Sequence, residues 1–172
     1  YAPINGLGHP VSLMICLASI VFNGIFDKYP NVRIGFMEGG VSWFQTCIER
    51  FDRGWDTHVQ YDPRKEFIQL RPGEQVSEYI IRHVKDGKIF VGCEGTEPGL
   101  ADAIRQVGHA FLFSSDFPHE VNNEYCKKEI REIQEHPDLS DEDKHAVLHR
   151  TSQGVRRSSL SPRSPRCQLS AG

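Results

Sequence analysis

From residue 13 the chain places apolar side chains at helical spacing: Leu13, Leu17, Ile20, Val21, Gly24 and Ile25. Residues three and four apart share one face of a helix, so this run predicts a helix with Ser12 as its N-cap and a stop before Pro30. "VRIGFM" then changes the period: Val32, Ile34 and Phe36 alternate in a short β-branched and aromatic run, which predicts a strand ending at Glu38-Gly39-Gly40. A second helical stripe follows through Phe44, Cys47, Ile48, Phe51 and Trp55. Residues 56–87 are more polar and carry turn signals in "YDPRK" and "RPGEQ", with a helix predicted in "SEYIIRHVK" from a Ser77 cap.

"KIFVGCE" predicts the next strand, ending at Glu94, and "TEPGLADAIRQV" a helix capped at Thr96 with Leu100, Ala103, Ile104 and Val107 on one face. "AFLFSSD" predicts a strand ending at Asp116, followed by helices over about 123–135 and 140–149. Ser140 with Asp143 three residues on is a capping-box arrangement. Continuous apolar strands separated by amphipathic helices imply an α/β fold, with a parallel sheet covered by helices.

Charge changes this picture at one end. The net charge is −3, yet every Asp and Glu lies at or before Asp143, and "GVRRSSLSPRSPRCQLSAG" holds four arginines and no acid. Its Ser, Pro and Arg bias cannot supply a core, so residues 1–153 are expected to form the domain and 154–172 a disordered basic tail. Four arginines are too few to favour nucleic acid over solvent as the tail's partner. No apolar stretch approaches the roughly 20 residues of a membrane span, and no signal peptide is visible. Five scattered cysteines without a CxxC pair suggest reduced thiols rather than disulfides or a thiolate zinc site, and hence a cytoplasmic protein.

The candidate chemistry lies at predicted strand ends. Glu38, Glu94 and Asp116 each close a strand, and His9 sits just before the first helix, where a further strand is expected to end. Ionisable groups at the carboxyl ends of parallel strands share one face, which holds the active site in barrels and in open doubly wound sheets alike. The sequence has no GxGxxG, GxxxxGK[ST] or GxSxG, which argues against dinucleotide, P-loop and serine-hydrolase chemistry. Each candidate also has a plainer reading. Asp116 suits a turn or N-cap, Glu38 a glycine-rich turn facing the next helix, and His9 and His119 ordinary loops. Glu94 ends its strand as Glu38 does. Trp43 and Trp55 read as packing residues, and the remaining histidines lack ligand spacing with one another.

Taken together, "GHPVSLM", "SIVFNGIFDKYPNVRIGFMEGGVSWF", "IERFDR", "SEYIIR", "IFVGCEGTE" and "FLFSSDFPHE" resemble, in order and spacing, the amidohydrolase-related metal-dependent hydrolases and decarboxylases. That group includes aminocarboxymuconate-semialdehyde decarboxylase. The resemblance implies a (β/α)₈ TIM barrel of which only the C-terminal half is present. It also implies a divalent metal, zinc or manganese, with His9 and Asp116 as ligands. Such a cation lowers the pKa of bound water from about 15.7 toward 7. Asp116 would then move the proton in hydrolysis or decarboxylation of a small organic acid. Glu38 joins it as a catalytic candidate, and His119 and Glu94 as substrate-facing ones.

Two departures stand beside the resemblance. The family's H-x-H or E-x-H pair has no counterpart in the chain, and Glu38 occupies a position where many of the decarboxylases carry histidine. A carboxylate there repels a carboxylated substrate unless it is protonated or paired. The alternative reading is therefore a truncated, catalytically inactive family member, and a basic-tail binding module ranks below both. By resemblance the partner is a small-molecule substrate and the assembly tilts toward a homodimer, with neither nucleic acid nor membrane expected.

Overall fold

The computed structural model describes residues 2–58, 61, 68–95, 97–119 and 121–157. The first helix, α1 (Ala2–Phe22), starts well before the predicted Ser12 cap and runs through Pro10. Ser12 is instead nearly three turns inside it, its Oγ donating to the Gly8 carbonyl at 2.7 Å. His9 consequently rides on a helix and does not follow a strand, which corrects the sequence expectation. Packing anchors the second half of α1, where Leu17 and Val21 are fully buried, and the helix runs on from there through Gly6, Gly8 and Pro10 with Ile4, Leu7 and Val11 exposed.

A short helix α2 (Ile25–Lys28) leads into β1 (Ile34–Phe36), and α3 (Ser42–His58) carries the predicted stripe. Trp43, Phe44, Cys47 and Ile48 are buried, while Phe51 and Trp55 pack on Phe22 with ring centroids 5.1 and 6.1 Å away. Helix α4 (Val76–Lys85) begins at Gln75 rather than at a Ser77 cap. Ser77 lies inside it and donates from N and Oγ to the Asp52 carboxylate of α3, at 2.7 and 2.6 Å.

Strand β2 (Ile89–Cys93) is buried at every position, as a central strand covered on both faces requires. Helix α5 (Leu100–Val107) takes Gly99 as its N-cap, and the predicted cap Thr96 falls outside the described residues. After β3 (Phe111–Phe113) come α6 (Asn123–Gln134) and α7 (Asp141–His145). The latter opens on the expected capping box: Ser140 Oγ accepts from Asp143 N at 3.2 Å, and the Asp143 carboxylate accepts from Ser140 N at 3.1 Å. A π-helical turn (Ala146–Arg150) and α8 (Thr151–Arg157) follow, so helix continues four residues past 153. The rest of the predicted tail, 158–172, lies outside the described residues.

The strands pair in chain order, β1-β2-β3, all parallel, with Ile34 opposite Ile89 and Val91 opposite Phe111. This overturns the barrel expectation. Among the described residues there are three strands in an open, uncurled sheet with β1 and β3 as edges, not four strands of a half barrel. Closing a sheet takes about eight tilted, staggered strands, and the segment before His9, expected to hold the end of a further strand, is helical. Most of the chain is helix, packed around a core that includes Phe26, Phe44, Tyr79, Ile80, Leu100, Phe111 and Ile133.

Candidate functional site

The three parallel strands end toward one side of the sheet, and the turns leaving them carry the ionisable groups. Glu38 follows β1 in the turn Glu38-Gly39-Gly40, with its own φ at 63° and that of Gly40 at 66°. Glu94 directly follows β2. Asp116 stands three residues past β3 with φ 55°, and its carbonyl accepts from His119 N at 3.0 Å to close the turn. Left-handed backbone is uncommon for residues other than glycine. Both carboxylates are thus aimed by turns that a plain strand-to-helix connection does not need.

These turns and one side of α1 enclose a cleft of about 830 Å³. His9, Glu38, Glu94, Asp116 and His119, the five candidates from the sequence, all line it. His9 Nδ1 lies 3.6 Å from Glu38 Oε2, with both side chains about half exposed.

A sixth group in the cleft, Glu97, escaped the sequence reading. Its Oε2 accepts from Val41 N at 2.6 Å and its Oε1 from Glu94 N at 2.7 Å. One carboxylate therefore ties the β1–α3 turn to the β2–α5 turn. Burial raises its pKa against the pull of those two bonds. The same carboxylate explains a glycine: a Cβ on Gly40 would sit 2.7 Å from Glu97 Oε2. Glu97 closes "IFVGCEGTE", but a bond to backbone 56 residues away leaves no local signal.

Behind the residues that line the cleft, two side chains, Trp43 and Glu129, each hold a buried polar atom without a hydrogen-bond partner. The indole Nε1 of Trp43 lies 3.0 Å from where a Gly39 Cβ would be, and Glu129 keeps one carboxylate oxygen unpaired. Burial, then the charge of Glu94, raises the Glu129 pKa. With Glu38, Glu94, Glu97 and Asp116 along it, the cleft favours a cation or proton transfer over a free carboxylate.

The donors do not form a metal-binding set. Among the described residues, no group of three or more His, Cys, Asp or Glu side chains is placed to hold a metal ion together. His9 is engaged with Glu38, and no third ligand joins His9 and Asp116. The residues present therefore do not fit the divalent metal centre that the resemblance implies.

Residues 1–153 match the family model described as Amidohydrolase, and the chain belongs to that family. No curated protein matches it. Among solved structures it is similar to an amidohydrolase from Mycobacterium avium subsp. paratuberculosis K-10. The TM-score is 0.64 at 18% identity, over 85% of this chain and 34% of that one. At that identity the likeness concerns fold alone, and the chain spans about a third of that relative's length. Among the described residues no helix is long and apolar enough to cross a membrane, uncharged α1 included.

Proposed function

We propose that this chain is an amidohydrolase-family protein that keeps a carboxylate-lined cleft of the family type but is catalytically inactive by itself. The observation that carries this reading is the donor arrangement: a His9–Glu38 pair at 3.6 Å, with no three donors placed around a shared metal position. On this reading His9, Glu38, Glu94, Asp116 and His119 form one wall of a site that needs further ligands to become a metal centre.

A second reading, an active metal-dependent hydrolase or carboxy-lyase acting on a small organic acid through Asp116, is favoured by one observation. All five candidates meet in a single cleft. In that case zinc or manganese would be the metal, and Asp116 and Glu38 the groups that move protons.

Elemental mass spectrometry of the purified chain and of Asp116→Asn, beside turnover assays on small organic acids, amides and esters, separates the two. Inactivity predicts substoichiometric metal in both proteins and no turnover. Near-stoichiometric zinc or manganese that falls sharply in Asp116→Asn, together with turnover lost in that variant, would overturn inactivity in favour of the enzyme.

A further inference from the structure

The opposite side of the sheet has the opposite charge. Arg33 immediately precedes β1, Lys85, Asp86 and Gly87 precede β2, and His109 precedes β3. At these amino ends lies a second cleft of about 310 Å³, with Val84 and Phe90 as its buried floor. Its rim carries three cations, Arg33, Lys85 and Arg150, against one carboxylate, Asp86.

Two of these cations are held in place while keeping donors to spare. Arg33 Nη1 donates to the Gly154 carbonyl at 2.6 Å. Arg150 Nη2 lies 2.7 Å from His109 Nδ1, and its Nη1 is 3.2 Å from Glu142. His109 in turn places Nε2 2.8 Å from the Asp143 carboxylate. Only the neutral imidazole with its proton on Nε2 satisfies both neighbours, giving to Asp143 and accepting from Arg150. A guanidinium has five N–H donors, so each arginine keeps N–H groups that these contacts do not use. Lys85 is exposed at the end of α4 and takes part in none of the described ion pairs.

We propose that this amino-end cleft is a binding site for a phosphate group. Anchored arginines match phosphate oxygens in paired geometry, and a lysine supplies a point charge beside them. The volume suits a small ligand, and the apolar floor offers a surface for whatever organic group the phosphate carries. The site is independent of the reading given to the carboxyl-end cleft, from which the sheet separates it.

The test is a titration of the full chain with inorganic phosphate and, separately, with phenyl phosphate, followed through backbone amide NMR shifts. Sodium chloride at matched ionic strength is the control. Saturable shifts centred on Gly87 and Gly154 are expected, with binding at least about tenfold weaker in Lys85→Gln and Arg33→Gln and unchanged in Glu38→Gln. Tighter binding of phenyl phosphate than of inorganic phosphate would identify a phosphomonoester as the ligand. Equal affinities would identify the free ion. Shifts that sodium chloride reproduces, or that survive both cation substitutions at full affinity, would overturn the site.

Discussion

Glu38 and Asp116 leave the two edge strands in the same left-handed backbone conformation, at φ 63° and 55°. For a residue with a Cβ this costs about 1–2 kcal/mol, and Asp bears it better because its short side chain bonds locally. Both residues line the carboxyl-end cleft, so the strain is concentrated where the cleft is built. Glu38→Gly should therefore stabilise the fold by about 1 kcal/mol, net of the entropy an added glycine loses on folding. Asp116→Gly should change it less. Urea denaturation of the two variants checks this. A destabilised Glu38→Gly would mean that contacts of the Glu38 side chain outweigh the strain of its backbone.

Asp52 joins two helices through a single residue of α4, accepting from both N and Oγ of Ser77. Hydrogen bonds to a charged acceptor are worth about 1.5–3 kcal/mol, and a lost helix-start partner alone costs about 1. Asp52→Ala should therefore lower stability by about 2 kcal/mol. Ser77→Ala, which keeps the backbone donor, should cost about half as much. Equal losses in the two variants would show that the hydroxyl carries the interaction and the backbone bond adds nothing.

What could be read from the sequence follows what local pattern encodes. The buried run of β2, the α3 stripe from Phe44 to Trp55 and the Ser140–Asp143 capping box are all properties of neighbouring residues, and each is found in the fold. His9 was misplaced because glycines and a proline around it mark a helix boundary by propensity, whereas α1, anchored by the buried Leu17 and Val21 in its second half, extends through them to Ala2. The barrel was misread for a different reason: closure depends on how many strands pair, and no single strand records that number. Glu97 stayed hidden because the bond that ties two turns together comes from Val41 N, 56 residues away, and its local bond from Glu94 N three residues back does not reveal that link.

Glu97 supports a prediction of its own, with glycines as controls. Gly40 and Gly73 both have positive φ, 66° and 77°, but only a Cβ on Gly40 would meet an obstacle, Glu97 Oε2 at 2.7 Å. Gly40→Ala should cost more than Gly73→Ala, by about 1–3 kcal/mol, the range for an overpacked site. In the double variant Gly40→Ala with Glu97→Ala the clash disappears, so the two losses should sum to less than their separate values. A denaturant double-mutant cycle measures this, and strict additivity would show that the Glu97 carboxylate moves aside freely.

His83 gives the fold a directional response to acid. It is 2% exposed, stacked on Phe26 at 4.8 Å and edge-on to Tyr79 at 4.4 Å, and neither ring nitrogen has a hydrogen-bond partner. Burial, then repulsion from Lys88 and Arg82, pushes its pKa down from 6.5 to about 4, with Asp27 and Asp86 opposing. Above about pH 6.5 the imidazole is neutral whether the chain is folded or not, and the stability tied to it is fully present. As the pH falls, the unfolded chain takes up this proton first, so stability drops until the folded pKa near 4 is passed, by about 3 kcal/mol in all. The carboxyls of half-buried Glu97 and buried Glu129, with raised pKa values, act in the opposite sense and take up protons more readily when folded. Comparing the native chain with His83→Phe between pH 7 and 4 cancels their contribution. The native chain should lose about 3 kcal/mol more than the variant across that range. Parallel losses would mean that His83 takes up its proton in the folded chain as easily as in the unfolded one.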